Sequence, residues 1–133
     1  MKKILIAAIT LFALFSTACT KQNDQIRVRF HNTLDQDITD ARMEFDDTNQ
    51  TAIGLIPAGA TTDYVDFDYF QVGDSWPMGS LKGTSEGEAF SAWSGMWCLT
   101  GVTLSQLEPG DYQIDIVRFG SGPEAWYQLK FAE

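Results

Sequence analysis

Apolar and polar side chains alternate without interruption in Ile26-Arg27-Val28-Arg29-Phe30-His31, residues 26–31 of the chain. Successive side chains of an extended backbone point to opposite faces. This period of two therefore predicts a β-strand with one buried and one solvated face. Arg27, Arg29 and His31 form the solvated face. We expect the folded domain to begin at residue 26 with this half-buried strand.

The same alternation recurs along the rest of the chain. It predicts further strands near residues 40–45, 51–56, 64–69, 112–116 and 125–131, with polar or Pro-Gly turns between them. We expect the strand at 40–45 to pair with the strand at 26–31. Between Gln71 and Gly101, glycines break the pattern into short pieces. Seven or eight short strands in one domain of this length predict an all-β fold, a single antiparallel β-sandwich.

A corner motif leads into the strand at 112–116. Residues 107–112 read Leu-Glu-Pro-Gly-Asp-Tyr, which resembles the L-x-P-G-x-Y corner of immunoglobulin-like and transthyretin-like sandwiches. The resemblance implies that Leu107 and Tyr112 pack beneath the turn. Gly110 can adopt a positive φ there, and Tyr112 begins the inward face of the next strand. The expected sandwich is therefore immunoglobulin-like.

A second resemblance covers most of residues 19–133. The chain is similar to a group of small Bacteroidota lipoproteins, and the shared elements are the first strand ending in Phe-His-Asn (30–32), the segment Ala-Gly-Ala-Thr-Thr-Asp-Tyr (58–64) and the Pro-Gly-x-Tyr strand. The resemblance implies a fold and a location, and it implies no activity.

The N-terminus has the features of a bacterial export signal. Two lysines precede a 12-residue apolar run (4–15), which would span roughly 18 Å as a helix against a hydrocarbon core of roughly 30 Å. Ser16-Thr17-Ala18 then supplies small residues before Cys19. We expect a lipoprotein signal peptide (1–18), a tether (19–25) that is lipidated on Cys19, and a β-sandwich domain (26–133). The alternative is an ordinary secretory signal that is cut after Ala18.

The signal peptide and Cys19 predict a lipid-anchored protein of the bacterial cell envelope, at the outer membrane. They do not distinguish the periplasmic face from the surface face. Acyl chains on Cys19 would hold it to the membrane. Without residues 1–18 the chain has 7 basic and 18 acidic residues, a net charge of −11. Such a charge argues against nucleic acid and anionic lipid headgroups as partners. Cys98 then has no intramolecular disulfide partner, and we expect it to be buried.

Catalytic machinery is not indicated. His31 is the single histidine, and we expect it to lie solvated at a strand end. Carboxylates that could serve glycoside hydrolysis or bind Ca²⁺ occur at Asp66 and Asp68, at Glu86 and Glu88, and in the turn at 46–49. Charged side chains on the outer face of a sheet need no such role. We therefore predict no enzyme activity, no catalytic residue, no metal site and no cofactor.

Tryptophans are the strongest indication of a binding function. Three of the four, Trp76, Trp93 and Trp97, fall in the glycine-rich region, and Trp126 lies out of phase with the inward residues of the last strand. Exposed indole rings stack on sugars or anchor protein interfaces, whereas buried ones fill cores. We favour a noncatalytic domain that binds another envelope protein. The alternative is a glycan-binding module that uses Trp76 with Trp93 or Trp97.

Overall fold

The computed structural model describes residues 24–133 except Trp97 and Leu99. The predicted signal peptide, Cys19 and most of the tether lie outside the described residues. The described chain forms eleven strands and a short 3-10 helix (Gly122–Glu124), and it contains no helix that is long and apolar enough to cross a membrane. The strands are β1 (Ile26–Asn32), β2 (Ile38–Glu44), β3 (Gln50–Ile56), β4 (Val65–Phe67), β5 (Gln71–Gly73), β6 (Trp76–Pro77), β7 (Ser80–Ser85), β8 (Glu88–Trp93), β9 (Leu104–Gln106), β10 (Gly110–Phe119) and β11 (Trp126–Phe131).

The strands form two sheets, which confirms the prediction of an all-β domain. Eight strands make one large sheet in the order β3-β2-β7-β8-β11-β10-β1-β4, and β6-β5-β9 make a small one. Two halves of four strands meet in the large sheet where β8 and β11 pair at only two positions, Ala92 with Tyr127 and Trp93 with Gln128. By comparison, β1 and β10 pair at seven. The joint between the halves is therefore the shortest pairing along the sheet.

The pairing corrects three sequence predictions. The large sheet is not purely antiparallel, because β1 pairs with β10, and β8 with β11, in parallel. The strand predicted at 40–45 is β2, and it pairs with β3 and β7 instead of β1. The turn after Asn32 carries the chain into the other half of the sheet, so that strands distant in sequence become neighbours. The region from Gln71 to Gly101, predicted to be irregular, contains β5 to β8, so the described chain has eleven strands instead of seven or eight.

One core lies against the inner face of the large sheet. Alternate residues of β1 are buried, as the sequence predicts, and both halves of the sheet contribute side chains to the same cluster. Phe70 joins the halves, because its ring contacts Phe45 after β2 at a centroid distance of 4.8 Å and Phe131 of β11 at 6.3 Å. The sheet therefore curls around a shared interior.

The predicted corner at 107–112 is confirmed. Leu107 and Tyr112 pack against the core, and Gly110 has a φ of +153°. The Tyr112 hydroxyl donates a hydrogen bond to the carbonyl oxygen of Glu108 at 3.0 Å. Tyr112 shares the inward face of β10 with Ile114 and Ile116, both fully buried. The corner thereby fixes where β10 begins beside β1.

Asn32 is the polar side chain that is buried most completely in the described chain, with no exposed surface. Its amide nitrogen donates to the carbonyl oxygens of Gln36 at 2.9 Å and Ile56 at 3.1 Å. Its amide oxygen accepts a hydrogen bond from the backbone N–H of Leu34 at 3.0 Å. Its own backbone N–H donates to the Ala60 carbonyl at 2.9 Å. One side chain therefore joins the end of β1, the following turn and the end of β3.

Replacing this side chain should destabilise the whole domain. Asn32→Ala leaves three backbone groups without a partner in the interior, so we expect the free energy of unfolding to fall by at least about 2 kcal/mol. Asn49→Ala is the matched control, because it removes an asparagine from an exposed turn and should cost less than about 1 kcal/mol. Chemical denaturation of both variants measures the difference. Equal losses would show that Asn32 has no special role.

Candidate functional site

Two of the three tryptophans that the sequence singles out, Trp76 and Trp93, lie among the described residues. Trp93 ends β8 and is half-buried, and it points away from the core that its neighbour Ala92 enters. Trp76 lies in β6 of the small sheet, also half-buried, with Gly73 of β5 as its pairing partner. Trp97 lies outside the described residues. The structure therefore places Trp93 and Trp76 in different sheets.

Trp93 belongs to a cluster of three aromatic side chains on the outer face of the large sheet. Its ring lies 5.4 Å from that of Trp126, and the Trp126 ring lies 5.0 Å from that of Phe119. Phe119 is 53% exposed, the largest exposed fraction of any described aromatic residue. We call Trp93, Trp126 and Phe119 the outer aromatic cluster.

Strand register brings these three residues together. Phe119 ends β10 and pairs with Trp126, which begins β11. Trp93 pairs with Gln128, two positions further along β11 and therefore on the same face as Trp126. The Gln128 side chain donates to the Ser94 carbonyl at 3.1 Å and holds the chain after β8 against β11. The outer aromatic cluster thus lies over the short joint between the two halves.

Gly95 supports the Trp126 ring from beneath. It has a φ of +84°, and a Cβ at this position would clash with the Cη2 atom of Trp126. Glycine is the residue that permits both this backbone conformation and the close approach. The indole of Trp126 therefore packs directly against the backbone of the segment that follows β8.

Trp126 lies on the face that its phase in the sequence predicts, whereas Phe119 was not predicted as part of a site. The prediction that Trp126 lies opposite Tyr127 and Leu129 is confirmed, because Leu129 is fully buried and Tyr127 packs on the core, while Trp126 contacts Phe119. The period of two that puts Ile114 and Ile116 inward puts Phe119 outward. Phe119 also precedes the turn that leads directly to Trp126. The signal was therefore present in the alternation of β10.

Two of the residues considered for chemistry, His31 and Asp46, are engaged in structural contacts. The Nδ1 atom of His31 lies 3.3 Å from an Asp115 carboxylate oxygen on the neighbouring strand. The Asp46 carboxylate accepts hydrogen bonds from Asn49 and Thr48, side chains and backbone, which lowers its pKa to about 2. Within the described chain, no three histidine, cysteine or acidic side chains are grouped so that they could hold a metal ion.

Cys98 differs from its prediction. The sequence analysis expected a buried thiol, whereas Cys98 is exposed. Hydrogen bonds from the side chain and the backbone of Thr100 lower the pKa of the thiol. The expectation of burial was based on the apolar neighbours of Cys98, but the chain leaves the sheet after Trp93 and no regular alternation governs this segment.

A cleft of about 420 Å³ lies between β5 of the small sheet and two strands of the large sheet, at the beginning of β10 and the end of β11. Its apolar lining includes Val72, Leu107, Tyr112 and Phe131, and the last three also pack on the core. Asp111 at its rim is paired with Arg27 at 3.0 Å. The cleft is large enough for a small apolar molecule. Its side chains are, however, those that the Tyr112 corner needs for packing.

Comparisons with known proteins give a likeness in fold. No protein-family model and no curated protein matches the chain. One solved structure, the NMR structure of a protein from Eubacterium rectale, is similar with a TM-score of 0.51. The alignment has 14% sequence identity and covers 85% of this chain and 93% of that one. At this identity the likeness concerns the fold alone.

The packing of Trp126 against Gly95 can be tested by substituting two glycines of similar backbone conformation. Gly95→Ala and Gly87→Ala both place a side chain at positive φ, +84° and +80°, but only the first has Trp126 in its path. We expect a cost of about 1 kcal/mol for Gly87→Ala and about 1–3 kcal/mol more for Gly95→Ala. Only Gly95→Ala should change the tryptophan emission and the near-ultraviolet circular dichroism. The same stability and unchanged spectra in both variants would contradict this packing.

Proposed function

We propose that this chain is a noncatalytic protein-interaction domain that an acylated Cys19 tethers to the bacterial envelope. The observation that carries the proposal is the outer aromatic cluster. Its three rings lie outside the core, with Phe119 more than half exposed and Trp93 and Trp126 half-buried. Aromatic residues of this kind anchor protein interfaces, because burying each ring removes much apolar surface from water.

The ring geometry favours a protein partner over a sugar. Trp126 is inclined by 39° to Trp93 and by 47° to Phe119. The three rings do not form one flat surface on which successive sugar rings could stack. Inclined rings suit the irregular apolar side chains of a protein better. The alternative is the glycan-binding module that uses Trp76 with Trp93 or Trp97, although Trp76 and Trp93 lie in different sheets.

For the fold, we infer an immunoglobulin-like sandwich whose layers are the two halves of the large sheet. The short joint between β8 and β11 and the contacts of Phe70 with both halves support this inference. For the family, we infer membership in the group of small Bacteroidota lipoproteins, on the motifs at 30–32, 58–64 and 109–112. The location would be the outer membrane, on its periplasmic or its outer face.

The tether is tested by labelling with an alkyne analogue of palmitate. Producing cells should incorporate the label into the wild-type protein, because the Cys19 thiol and the new N-terminus are the acylation sites of a lipoprotein. Cys19→Ala should lose the label, while Cys98→Ala, the matched control, should keep it. A mature protein with a free, unmodified Cys19 would contradict the tether and support the secretory alternative.

The binding surface is tested with a photo-crosslinking amino acid at Phe119. In producing cells, irradiation should yield one discrete protein adduct, because this position lies in the proposed interface. The matched control is Leu104 on β9, which is similarly exposed at 47% but lies in the small sheet, whereas the cluster lies on the large one. The same crosslinks from both positions would show that Phe119 contacts proteins nonspecifically.

The glycan alternative has its own measurement. Thermal melts against a panel of oligosaccharides detect a bound sugar, since a ligand at 100-fold its Kd stabilises a domain by about 2.7 kcal/mol. A selective shift of several degrees that Trp76→Ala or Trp93→Ala abolishes would favour the glycan-binding module. Such a shift without a protein adduct at Phe119 would overturn the protein-interaction proposal.

A further inference from the structure

The two ends of the large sheet face each other across a gap. β3 pairs only with β2, and β4 pairs only with β1, so each strand has one edge without a neighbouring strand. Residues 48–52 at the start of β3 and residues 66, 68 and 69 at β4 line the same cleft, which has a volume of about 380 Å³. We call this cleft the edge slot.

Contacts at both ends keep the edge slot open. At one end, the chain after β3 turns back and pairs with β1, where the Thr62 N–H donates to the Phe30 carbonyl at 2.9 Å and His31 bridges to Thr61. At the other end, the Tyr69 ring packs edge-on against Phe45 at 5.6 Å. β3 and β4 are therefore fixed on either side of the slot and do not pair with each other.

The β3 side of the slot lacks the usual protection of an edge strand. Its sequence, Gln-Thr-Ala-Ile-Gly-Leu-Ile, contains no charged residue and no proline, and Leu55 is 56% exposed. Edge strands commonly carry charges or proline, because an unpaired backbone edge is a template for another strand. The β2–β3 pairing has a register irregularity near Gly54, where the strand is expected to bend.

The β4 side of the slot is acidic. Asp66 and Asp68 are both exposed, and neither takes part in an ion pair within the described part of the chain. Arg27, the pairing neighbour of Asp66 on β1, bonds to Asp111 instead at 3.0 Å. The half-buried Thr51 and Tyr69 also line the slot. The slot therefore presents two carboxylates beside the Thr51 methyl group and the Tyr69 ring.

We propose that the edge slot accepts an extended peptide segment in which basic residues alternate with apolar ones. The peptide backbone would hydrogen-bond to the free edge of β3, as in other cases of strand addition. Its lysine or arginine side chains would face Asp66 and Asp68, and its apolar side chains would contact the Thr51 methyl group and the Tyr69 ring. This site is separate from the outer aromatic cluster, and either can fail without the other.

The test uses the full chain, purified in a neutral detergent, and a synthetic peptide of six alternating lysine and valine residues. We expect binding by calorimetry and amide shift changes that are largest in β3 and β4. A peptide of alternating glutamate and valine should bind at least tenfold more weakly. The lysine peptide with every backbone nitrogen methylated should also bind at least tenfold more weakly, because it has no backbone N–H to donate to a strand edge.

Matched variants separate the slot from general charge attraction. The double variant Asp66→Asn and Asp68→Asn should weaken binding of the lysine peptide about tenfold. The double variant Glu86→Gln and Glu88→Gln removes two carboxylates from the exposed β7–β8 turn and should leave the affinity unchanged.

Several results would overturn the proposal. They are no binding, equal weakening in both double variants, undiminished binding of the methylated peptide, or shift changes outside β3 and β4. Shift changes in β3 and β4 that grow with protein concentration alone would make a second copy of the chain the occupant, and would overturn it as well.

Discussion

The hydrogen bonds of the buried Asn32 side chain are the constraint on which the rest of the structure depends. This amide occupies the point where the chain leaves β1, crosses to the other half of the sheet and later returns after β3. A buried amide is stable only when its donors and acceptor are satisfied. Few arrangements of the surrounding turns meet that condition, so the side chain selects one path for the chain as well as stabilising it.

Two surfaces follow from that path. Because β1 and β2 lie in different halves, the sheet has to be joined elsewhere, and it is joined by the short β8–β11 pairing that Trp93 and Trp126 cover. The same crossing leaves β3 and β4 at opposite ends of the strand order. Asn32 ties the Ile56 end of β3 to the end of β1, whereas β4 pairs with the beginning of β1, at residues 26–28. The outer aromatic cluster covers the joint with Phe119 still exposed, while the edge slot is left without a strand.

The sequence predicted what local alternation controls and failed where distant strands meet. The faces of β1, β10 and β11 and the Tyr112 corner were correct, because a period of two and a Pro-Gly turn are local properties. The predicted pairing of β2 with β1 and the prediction of a purely antiparallel sheet were wrong. Strand pairing depends on where the chain crosses between the halves, which local alternation does not show. The β7–β8 hairpin was hidden by Gly83, which packs against the Thr39 backbone of β2 and was mistaken for a break. For the site, Trp93 was predicted, but its association with Phe119 needed the register of three strands.

Amide hydrogen exchange on the purified protein tests two properties most directly. They are whether the Asn32 side chain fixes the turn after β1, and whether β3 and β4 are unpaired with each other. The Leu34 amide, held by the Asn32 side chain, should exchange as slowly as the amides inside β1 and β10. Along β3, slow and fast amides should alternate, since only every second one faces β2. Slow exchange at every β3 amide would show that both edges are paired and the sheet is closed. Fast exchange at Leu34 would show that the hydrogen bonds of the Asn32 side chain do not fix the turn.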